Sequence, residues 1–194
     1  MRFVDEQDFG FGWIVDDETI RRTSHGLLAE GGVWFVDPVD WPEAEARARS
    51  LGEPRGVIQL LDRHNRDCAA LAARLGVPHH VVPPRIEGAP FEFLPIARSR
   101  WWREVALWWP HARVLICADA VGTLAYFRAP GEPLGLHPLL RLRQPRALRR
   151  VFPQHVLCGH GWGVHEDAAH ALHEALRTAR RRLPAALWHG VRAR

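Results

Sequence analysis

A short segment, Asp62-Arg63-His64-Asn65-Arg66-Asp67-Cys68, carries several side chains that bind metals or anions. Carboxylates, thiolates and imidazoles are the ligands that zinc takes in proteins, and guanidinium groups bind carboxylates and phosphates. Two more side chains of this kind stand at predicted strand ends, Asp119 in ICADAVG and His160 in Gly-His-Gly. The sequence therefore contains a candidate metal or anion site assembled from three separate segments.

The elements around these segments alternate between strands and helices. Apolar runs separated by Asp-Asp and Gly-Gly turns predict an antiparallel β-meander, and a βαβ-like unit follows it. In the first half we predict strands at 11–15, 25–30, 31–39, 55–62 and 77–83, and helices at 41–52 and 67–76. The candidate segment at 62–68 thus lies at the turn between a buried strand and a helix.

The second half has the same style of pattern. We predict strands at 91–97, 103–110, 112–121 and 155–161, short helices at 138–142 and 145–152, and an amphipathic helix at 166–183. Two β-rich halves with helices outside imply an α/β fold, a four-layered α/β/β/α sandwich. A length of 194 residues predicts one domain over residues 1–194.

The order of these elements and turns resembles the metallo-β-lactamase fold family. The resemblance covers nearly the whole chain: an Asp-Pro turn after a strand (Asp37-Pro38), the strand–turn–helix, the strand ending at Asp119 and the final Gly-His-Gly. The family's signature, T-H-x-H-x-D-H, binds up to two zinc or iron ions with a later His, a bridging Asp and a final His. The resemblance implies that this turn is the former or present metal centre.

The signature is altered when it is placed on residues 62–68. Arg63 and Asn65 stand at the first two His positions, and the stretch 96–102, where the middle His belongs, contains no histidine. The resemblance therefore implies that one metal of the pair is lost, since a fixed guanidinium would repel it. The positions of the other metal hold plausible ligands: Asp67, Cys68, Asp119 and His160.

Two interpretations of the site stay open. In the favoured one the metal centre has degenerated, the protein is a pseudoenzyme, and no cofactor binds. Arg63 then pairs with Asp119 or Asp67. The former active-site pocket would bind a small, possibly anionic ligand or serve an assembly, and its residues are Arg63, Asn65, Asp67, Asp119 and His160. In the alternative, one zinc ion at Asp67, Cys68 and His160, completed by Asp119 or water, supports a hydrolase. His64 and Arg66 alternate with the motif positions and are expected to point away from the site.

Composition adds weaker expectations. All 26 basic residues are arginine and the net charge is only +4, so nucleic-acid processing is the lowest-ranked function and a nucleic-acid partner is not expected. The absence of a signal sequence and of a long apolar run predicts a cytoplasmic protein with no membrane partner and three free thiols. A homo-oligomer stays open.

The tryptophan pairs Trp101-Trp102 and Trp108-Trp109 flank a predicted strand. Successive residues of a strand face opposite sides of the sheet, so one ring of each pair should fill the core. The other rings, together with neighbouring arginines, could line a pocket mouth or an interface.

Overall fold

A computed structural model of the chain describes residues 1–192. The strands are β1 (Arg2–Gln7), β2 (Gly10–Ile14), β3 (Thr23–Ala29), β4 (Gly32–Val36), β5 (Glu53–Gln59), β6 (His79–Val81), β7 (Glu92–Ser99), β8 (Trp102–Trp109), β9 (Val114–Cys117), β10 (Val121–Gly122), β11 (Gly135–Leu136) and β12 (His155–Cys158). The helices are α1 (Pro42–Leu51), α2 (Cys68–Leu75), α3 (Pro138–Leu142), α4 (Ala168–Thr178) and α5 (Leu183–Arg192), with a 3-10 turn at Arg146–Arg150.

The first sheet has the strand order β1-β2-β3-β4-β5-β6. Strands β1 to β4 pair antiparallel, as the predicted meander requires, and β4, β5 and β6 pair parallel. The segment between β5 and β6 contains α2, which confirms the predicted βαβ unit. Its β5-to-α2 turn lies at the carboxyl end of the parallel strands, where open α/β sheets carry their ligand sites.

The second sheet has the order β12-β9-β8-β7. Strand β12 runs parallel to β9, so their carboxyl ends lie side by side, and Cys158 is paired with Cys117. Residues Asp119 and His160 follow these two ends directly. The register of the two strands therefore places the carboxylate and the imidazole at one edge of the sheet.

Helices cover the outer faces of both sheets. Helices α1 and α2 contact β4 and β5, while α4 packs against β12 and β11. Aliphatic residues of both sheets form the main core between them, among them Leu27, Ile58, Leu107 and Ile116, each at most 1 % exposed. The chain thus has the predicted mixed α/β architecture with two sheets inside and helices outside.

Some elements differ from the predicted ones. The segment predicted as a helix at 145–152 is a 3-10 turn, and the C-terminal helix α5 was not predicted because Pro184 and Gly190 interrupt its pattern. The edge strand β1 was also missed. The tryptophan pairs behave as predicted at their buried members, because Trp102 and Trp109 are 8 % and 7 % exposed. Across residues 1–192, every helix lacks the length and apolarity that crossing a bilayer requires.

Candidate metal centre

The residues of the β5-to-α2 turn alternate between two environments. His64 and Cys68 are buried, at 8 % and 0 % exposed, whereas Arg63 and Asn65 are exposed. The prediction that His64 points away was therefore wrong. The physical reason is that side chains 64, 66 and 68 face the interior, whereas the motif placement had assigned positions 63, 65 and 67 to it together with Cys68. The same expectation for Arg66 was also wrong, because its guanidinium donates to three carbonyls of the interior.

His64 is held by a buried carboxylate. Its Nδ1 lies 3.0 Å from Oδ2 of Asp37, which follows β4, and Oδ1 of Asp37 accepts a hydrogen bond from the backbone N–H of Leu60 at 2.9 Å. Asp37 is 2 % exposed. Because the carboxylate accepts the Nδ1 proton, the neutral ring presents the lone pair of Nε2 to the opposite side.

His160 is oriented in the same way by a backbone carbonyl. Its Nδ1 donates to the oxygen of Ile20 at 2.7 Å, which leaves Nε2 as the unprotonated nitrogen of the neutral ring. The following Gly161 has a φ of +90°, and a Cβ there would lie 2.3 Å from Oγ1 of Thr123. The Gly-His-Gly sequence is therefore needed for a sharp turn that projects His160 inward.

Asp119 is positioned by a second buried carboxyl group. Oε1 of Glu104 accepts hydrogen bonds from the backbone N–H groups of Asp119 and Ala120 at 2.9 and 2.8 Å, and Oε2 accepts from Nε1 of Trp102 at 2.8 Å. Burial, together with the charge of Asp119, raises the pKa of Glu104 to about 8. Glu104 was not predicted, because nothing in its local sequence separates it from a surface residue of a strand.

Three ligand atoms converge at this point. Nε2 of His64 and Nε2 of His160 each lie 3.1 Å from Oδ1 of Asp119, and the two nitrogens are 3.4 Å apart. Ligands bound to a tetrahedral zinc ion at its usual bond lengths are about 3.3–3.5 Å from one another. The triangle therefore has nearly the dimensions of three corners of such a tetrahedron.

The chemistry of the three atoms also calls for a cation. Despite the short distances, Oδ1 of Asp119 is buried and makes no hydrogen bond of acceptable angle within the described chain. With both Nδ1 atoms donating outward, the neutral site brings three acceptors together. Such an arrangement is repulsive unless a proton or a metal ion lies between them, and outward-donating Nδ1 atoms are characteristic of metal-bound histidines.

The charges of the site follow from the same contacts. Burial alone would raise the pKa of Asp119, but His160 and His64 outweigh it and hold that pKa well below its usual range. Burial and the charge of Arg66 oppose protonation of His64, yet Asp37 and Asp119 outweigh them and raise its pKa. The ionised Asp119 thus attracts a cation, and a metal would compete with protons for the imidazoles.

Two arginines of the turn lie beside the triangle. Nη1 of Arg66 donates to the carbonyls of Thr23 and Asp37 at 2.6 and 2.7 Å, and its Nη2 donates to the carbonyl of Gly159 at 3.0 Å. Nη2 of Arg63 lies 3.9 Å from Oδ2 of Asp119, but its side chain is 49 % exposed. Arg66 is therefore the interior guanidinium of the motif, and Arg63 lies at the rim.

A cleft of about 990 Å³ opens beside the triangle. Its walls include Asp119 and His160, the Asp16–Arg21 loop, and Tyr126 with His137. Nδ1 of His137 accepts from the backbone N–H of Leu139 at 3.3 Å, and its Nε2 lies 3.1 Å from the Tyr126 hydroxyl. Burial lowers the pKa of His137. The cleft gives a small molecule access to the open side of the triangle.

Solved structures that are similar to this chain include several metallo-β-lactamases. The enzyme from Pontibacter korlensis has a TM-score of 0.59 at 12 % identity, with 91 % of this chain and 98 % of that chain covered. The enzyme from Hirschia baltica also gives 0.59 at 12 %, covering 92 % and 97 %. The DIM-1 metallo-β-lactamase exposed to ceftazidime gives 0.58 at 13 %, covering 92 % and 97 %. The chain has the metallo-β-lactamase fold.

At these identities the likeness shows the fold, and the activity has to be argued from the site. No protein-family model matches the sequence, and no curated protein matches it significantly. The metallo-β-lactamase fold predicted from the strand ends and turns is thus confirmed by structure at a level of identity where sequence comparison finds nothing.

Within this fold, two of the predicted metal ligands lie elsewhere. The thiol of Cys68 packs among the core residues between the first sheet and its helices, and burial raises its pKa. The carboxylate of Asp67 accepts the backbone N–H of Asp40 at 2.8 Å and makes no cap to its own helix in the described residues. Among residues 1–192, the His, Cys, Asp and Glu groups able to hold a metal reduce to His64, Asp119 and His160.

The other residues of the predicted pocket lie partly at the metal centre and partly at the protein surface. Asp119 and His160 belong to the triangle, and Arg63 approaches Asp119 from the rim. The exposed Asn65 accepts a hydrogen bond from Nε2 of Gln59 at 3.3 Å. The signal that could have identified His64 was its pairing with Asp37, since an Asp at a strand end and a His at the next strand's turn share one edge of a parallel sheet.

Proposed function

We propose that the protein is a metal-dependent hydrolase that uses a single zinc ion held by His64, Asp119 and His160. The observation that supports the proposal best is the triangle of two imidazole nitrogens and one carboxylate oxygen, 3.1, 3.1 and 3.4 Å apart. Catalytic zinc sites have three protein ligands and an open fourth position, whereas structural sites are closed. The adjoining cleft gives the fourth position access to substrate.

The chain's own residues would prepare the site for this chemistry. Asp37 and the Ile20 carbonyl hold the two imidazoles with Nε2 toward the centre, and Glu104 fixes the backbone that carries Asp119. A bound zinc ion would supply Lewis-acid activation of a water molecule or of a substrate oxygen at neutral pH. His137 carries its proton at Nε2 when neutral, and this nitrogen lies 3.1 Å from the Tyr126 hydroxyl on the cleft wall.

The metal-free interpretation, in which the pocket only binds a small ligand, has less support. The predicted ion pair between Arg63 and Asp119 is present, but the two groups are 3.9 Å apart and the Arg63 side chain is 49 % exposed, so the pair does not fill the interior of the site. The cleft wall also carries the carboxylates of Asp16, Asp17 and Glu18, two of which are paired with arginines. Such a wall does not favour a polyanion, which also keeps nucleic-acid processing the weakest candidate.

The direct test is metal analysis of protein purified without chelator and without metal-affinity resin, followed by zinc titration of the metal-free protein. We expect one zinc per chain. The variants His64→Ala and His160→Ala should lose zinc affinity by more than a hundredfold, whereas Asp67→Asn and Cys68→Ser, the matched controls from the same turn, should bind like the parent.

Hydrolysis would then be measured with a panel of β-lactam, ester, thioester and phosphodiester chromogens, with and without zinc. We expect zinc-dependent turnover of at least one class that His64→Ala abolishes. Zinc binding with no turnover in any class would count against the enzyme and leave a metal-binding protein. Equal, weak zinc binding by all five proteins would contradict the site itself.

A further inference from the structure

Helix α5 has two apolar faces, of which only one is covered. On the inner face Ala186 is fully buried, and Nδ1 of His189 donates to the carbonyl of Arg128 at 2.9 Å. On the outer face, Leu187, Trp188 and Val191 are 50 %, 60 % and 67 % exposed. With Pro184 they follow the i, i+3, i+4, i+7 spacing of one side of a helix.

Helix α3 extends this surface. It packs against α5, and its Leu139 and Leu142 are 66 % and 56 % exposed. Nε of Arg180, in the corner between α4 and α5, donates to the carbonyl of Leu142 at 3.0 Å and joins the corner to α3. The exposed apolar side chains of these two packed helices are here together called the α3–α5 face: Leu139, Leu142, Pro184, Leu187, Trp188 and Val191.

The chain segments that contain the α3–α5 face are strongly basic. The segments 133–165 and 175–192, which contain both helices, have no Asp or Glu. They carry seven exposed arginines without an ion pair in the described part of the chain: Arg143, Arg146, Arg149, Arg150, Arg180, Arg181 and Arg192. The guanidinium of Arg192 lies 4.5 Å above the Trp188 ring, at the edge of the apolar stripe.

We propose that the α3–α5 face binds an anionic membrane surface, with its aliphatic and Trp side chains at the lipid boundary and its arginines on the headgroups. Interfacial helices combine an exposed apolar stripe with flanking basic residues in this way. A second copy of the chain would bring the same unpaired arginines against each other, which charge repulsion opposes. Nucleic acid would match the arginines but leave the leucines and Val191 in water.

This proposal is independent of the metal centre and departs from the expectation, drawn from the sequence, of no membrane partner. Its test is co-sedimentation of the full chain with phosphatidylcholine vesicles and with vesicles containing about 30 mol % phosphatidylserine. We expect binding to the anionic vesicles that falls steeply as salt is raised toward about 1 M, because screening weakens the arginine contacts.

Variants separate the two contributions. Leu187→Ser with Trp188→Ser should abolish binding, and Arg181→Gln with Arg192→Gln should lower the partition coefficient by about tenfold or more, since each basic group near an anionic surface contributes measurably. The matched controls are Trp101→Ser, which removes a 72 % exposed ring elsewhere, and Arg98→Gln with Arg100→Gln. Both should bind like the parent, and circular dichroism would establish that every variant is folded.

Several results would overturn the proposal. Equal binding to neutral and anionic vesicles would remove the electrostatic basis. Loss of binding in Trp101→Ser as large as in the α5 variant would place the contact elsewhere. A stable dimer in light scattering that Leu187→Ser with Trp188→Ser dissociates, without vesicle binding by the parent, would assign the face to a second copy. Binding to single-stranded DNA but not to vesicles would assign it to nucleic acid.

Discussion

Asp37 does not line the cleft beside the triangle, but it determines which nitrogen of His64 is available to a metal. Its carboxylate fixes the Nδ1 proton on the outer side of the ring, so that Nε2 is available to a metal at the centre. Carboxylate–histidine pairs of this kind raise the basicity of the ligand nitrogen and hold the plane of the ring. The proposed zinc affinity therefore depends on a residue that is itself no ligand.

The first prediction concerns this pair. Asp37→Asn should lower zinc affinity by about 10–100-fold, because the amide holds the imidazole less strongly than the carboxylate does. Isothermal titration of the metal-free protein measures the change. The control is Asp62→Asn, a carboxylate of the same turn that contacts Arg103 and not a histidine. An unchanged affinity in Asp37→Asn would show that the outer carboxylate does not act through His64.

The second prediction separates Cys68 from the metal centre. Cys68→Ser should leave zinc affinity within about twofold and lower the free energy of unfolding by about 1–3 kcal/mol, because a hydroxyl replaces a thiol in an apolar core. Zinc titration and urea unfolding measure the two effects. A tenfold loss of zinc affinity with little loss of stability would restore Cys68 as a ligand.

The sequence allowed some residues of the site to be predicted and not others. Asp119 and His160 were predicted because each ends a recognisable strand, and both contribute to the triangle. His64 was missed because a shift of one residue in an extended turn exchanges the inward and outward side chains. Glu104 was missed because its role depends on contacts with the turn after the neighbouring strand β9, and its local sequence does not reveal them.

One arginine donates hydrogen bonds to backbone carbonyls at the ends of three strands. Arg66 donates to carbonyls at the start of β3, after β4 and after β12. The carbonyl of Gly159 also accepts the backbone N–H of Thr23 at 2.8 Å, whereas those of Thr23 and Asp37 lie where their strands leave the sheet and depend on Arg66 as a donor. Arg66 thus joins the two sheets at the edge that carries the metal centre.

The third prediction follows from that junction. Arg66→Met should lower the free energy of unfolding by about 2–4 kcal/mol, because the buried carbonyls of Thr23 and Asp37 lose their donor together. The control Arg63→Met should cost no more than about 1 kcal/mol, since an exposed pair at 3.9 Å contributes little. Chemical denaturation compares the two. A larger loss in Arg63→Met than in Arg66→Met would reverse the assignment of interior and rim.

Elements with strong periodicity were predicted well, and edge elements were not. The meander, the βαβ unit and helices α1, α2 and α4 all have clear patterns with stop signals such as Gly76, which has a φ of +69°. Strand β1 is half exposed and rich in charge, and β10 and β11 have two residues each. The formation of such strands depends on the neighbouring strands with which they pair more than on the propensities of their own residues.

The fourth prediction concerns the whole molecule. Zinc that binds the folded state alone should stabilise it by about 2.7 kcal/mol at a hundredfold excess over its Kd. For a chain of this length the midpoint of thermal unfolding should rise by about 5–10 °C. Calorimetry with zinc and with chelator measures the shift. The variant His64→Ala with His160→Ala should show no shift, and an equal shift in that variant would indicate binding elsewhere.

The three cysteines can report local opening of this fold through their reaction with thiol reagents. All are buried free thiols, Cys68 beside the first sheet and Cys117 with Cys158 on paired strands of the second. A thiol reagent can modify them only when the surrounding structure opens, so the labelling rate of each reports the opening free energy of its region. Mass spectrometry of partly labelled protein would then show whether the two halves of the sandwich open together or separately.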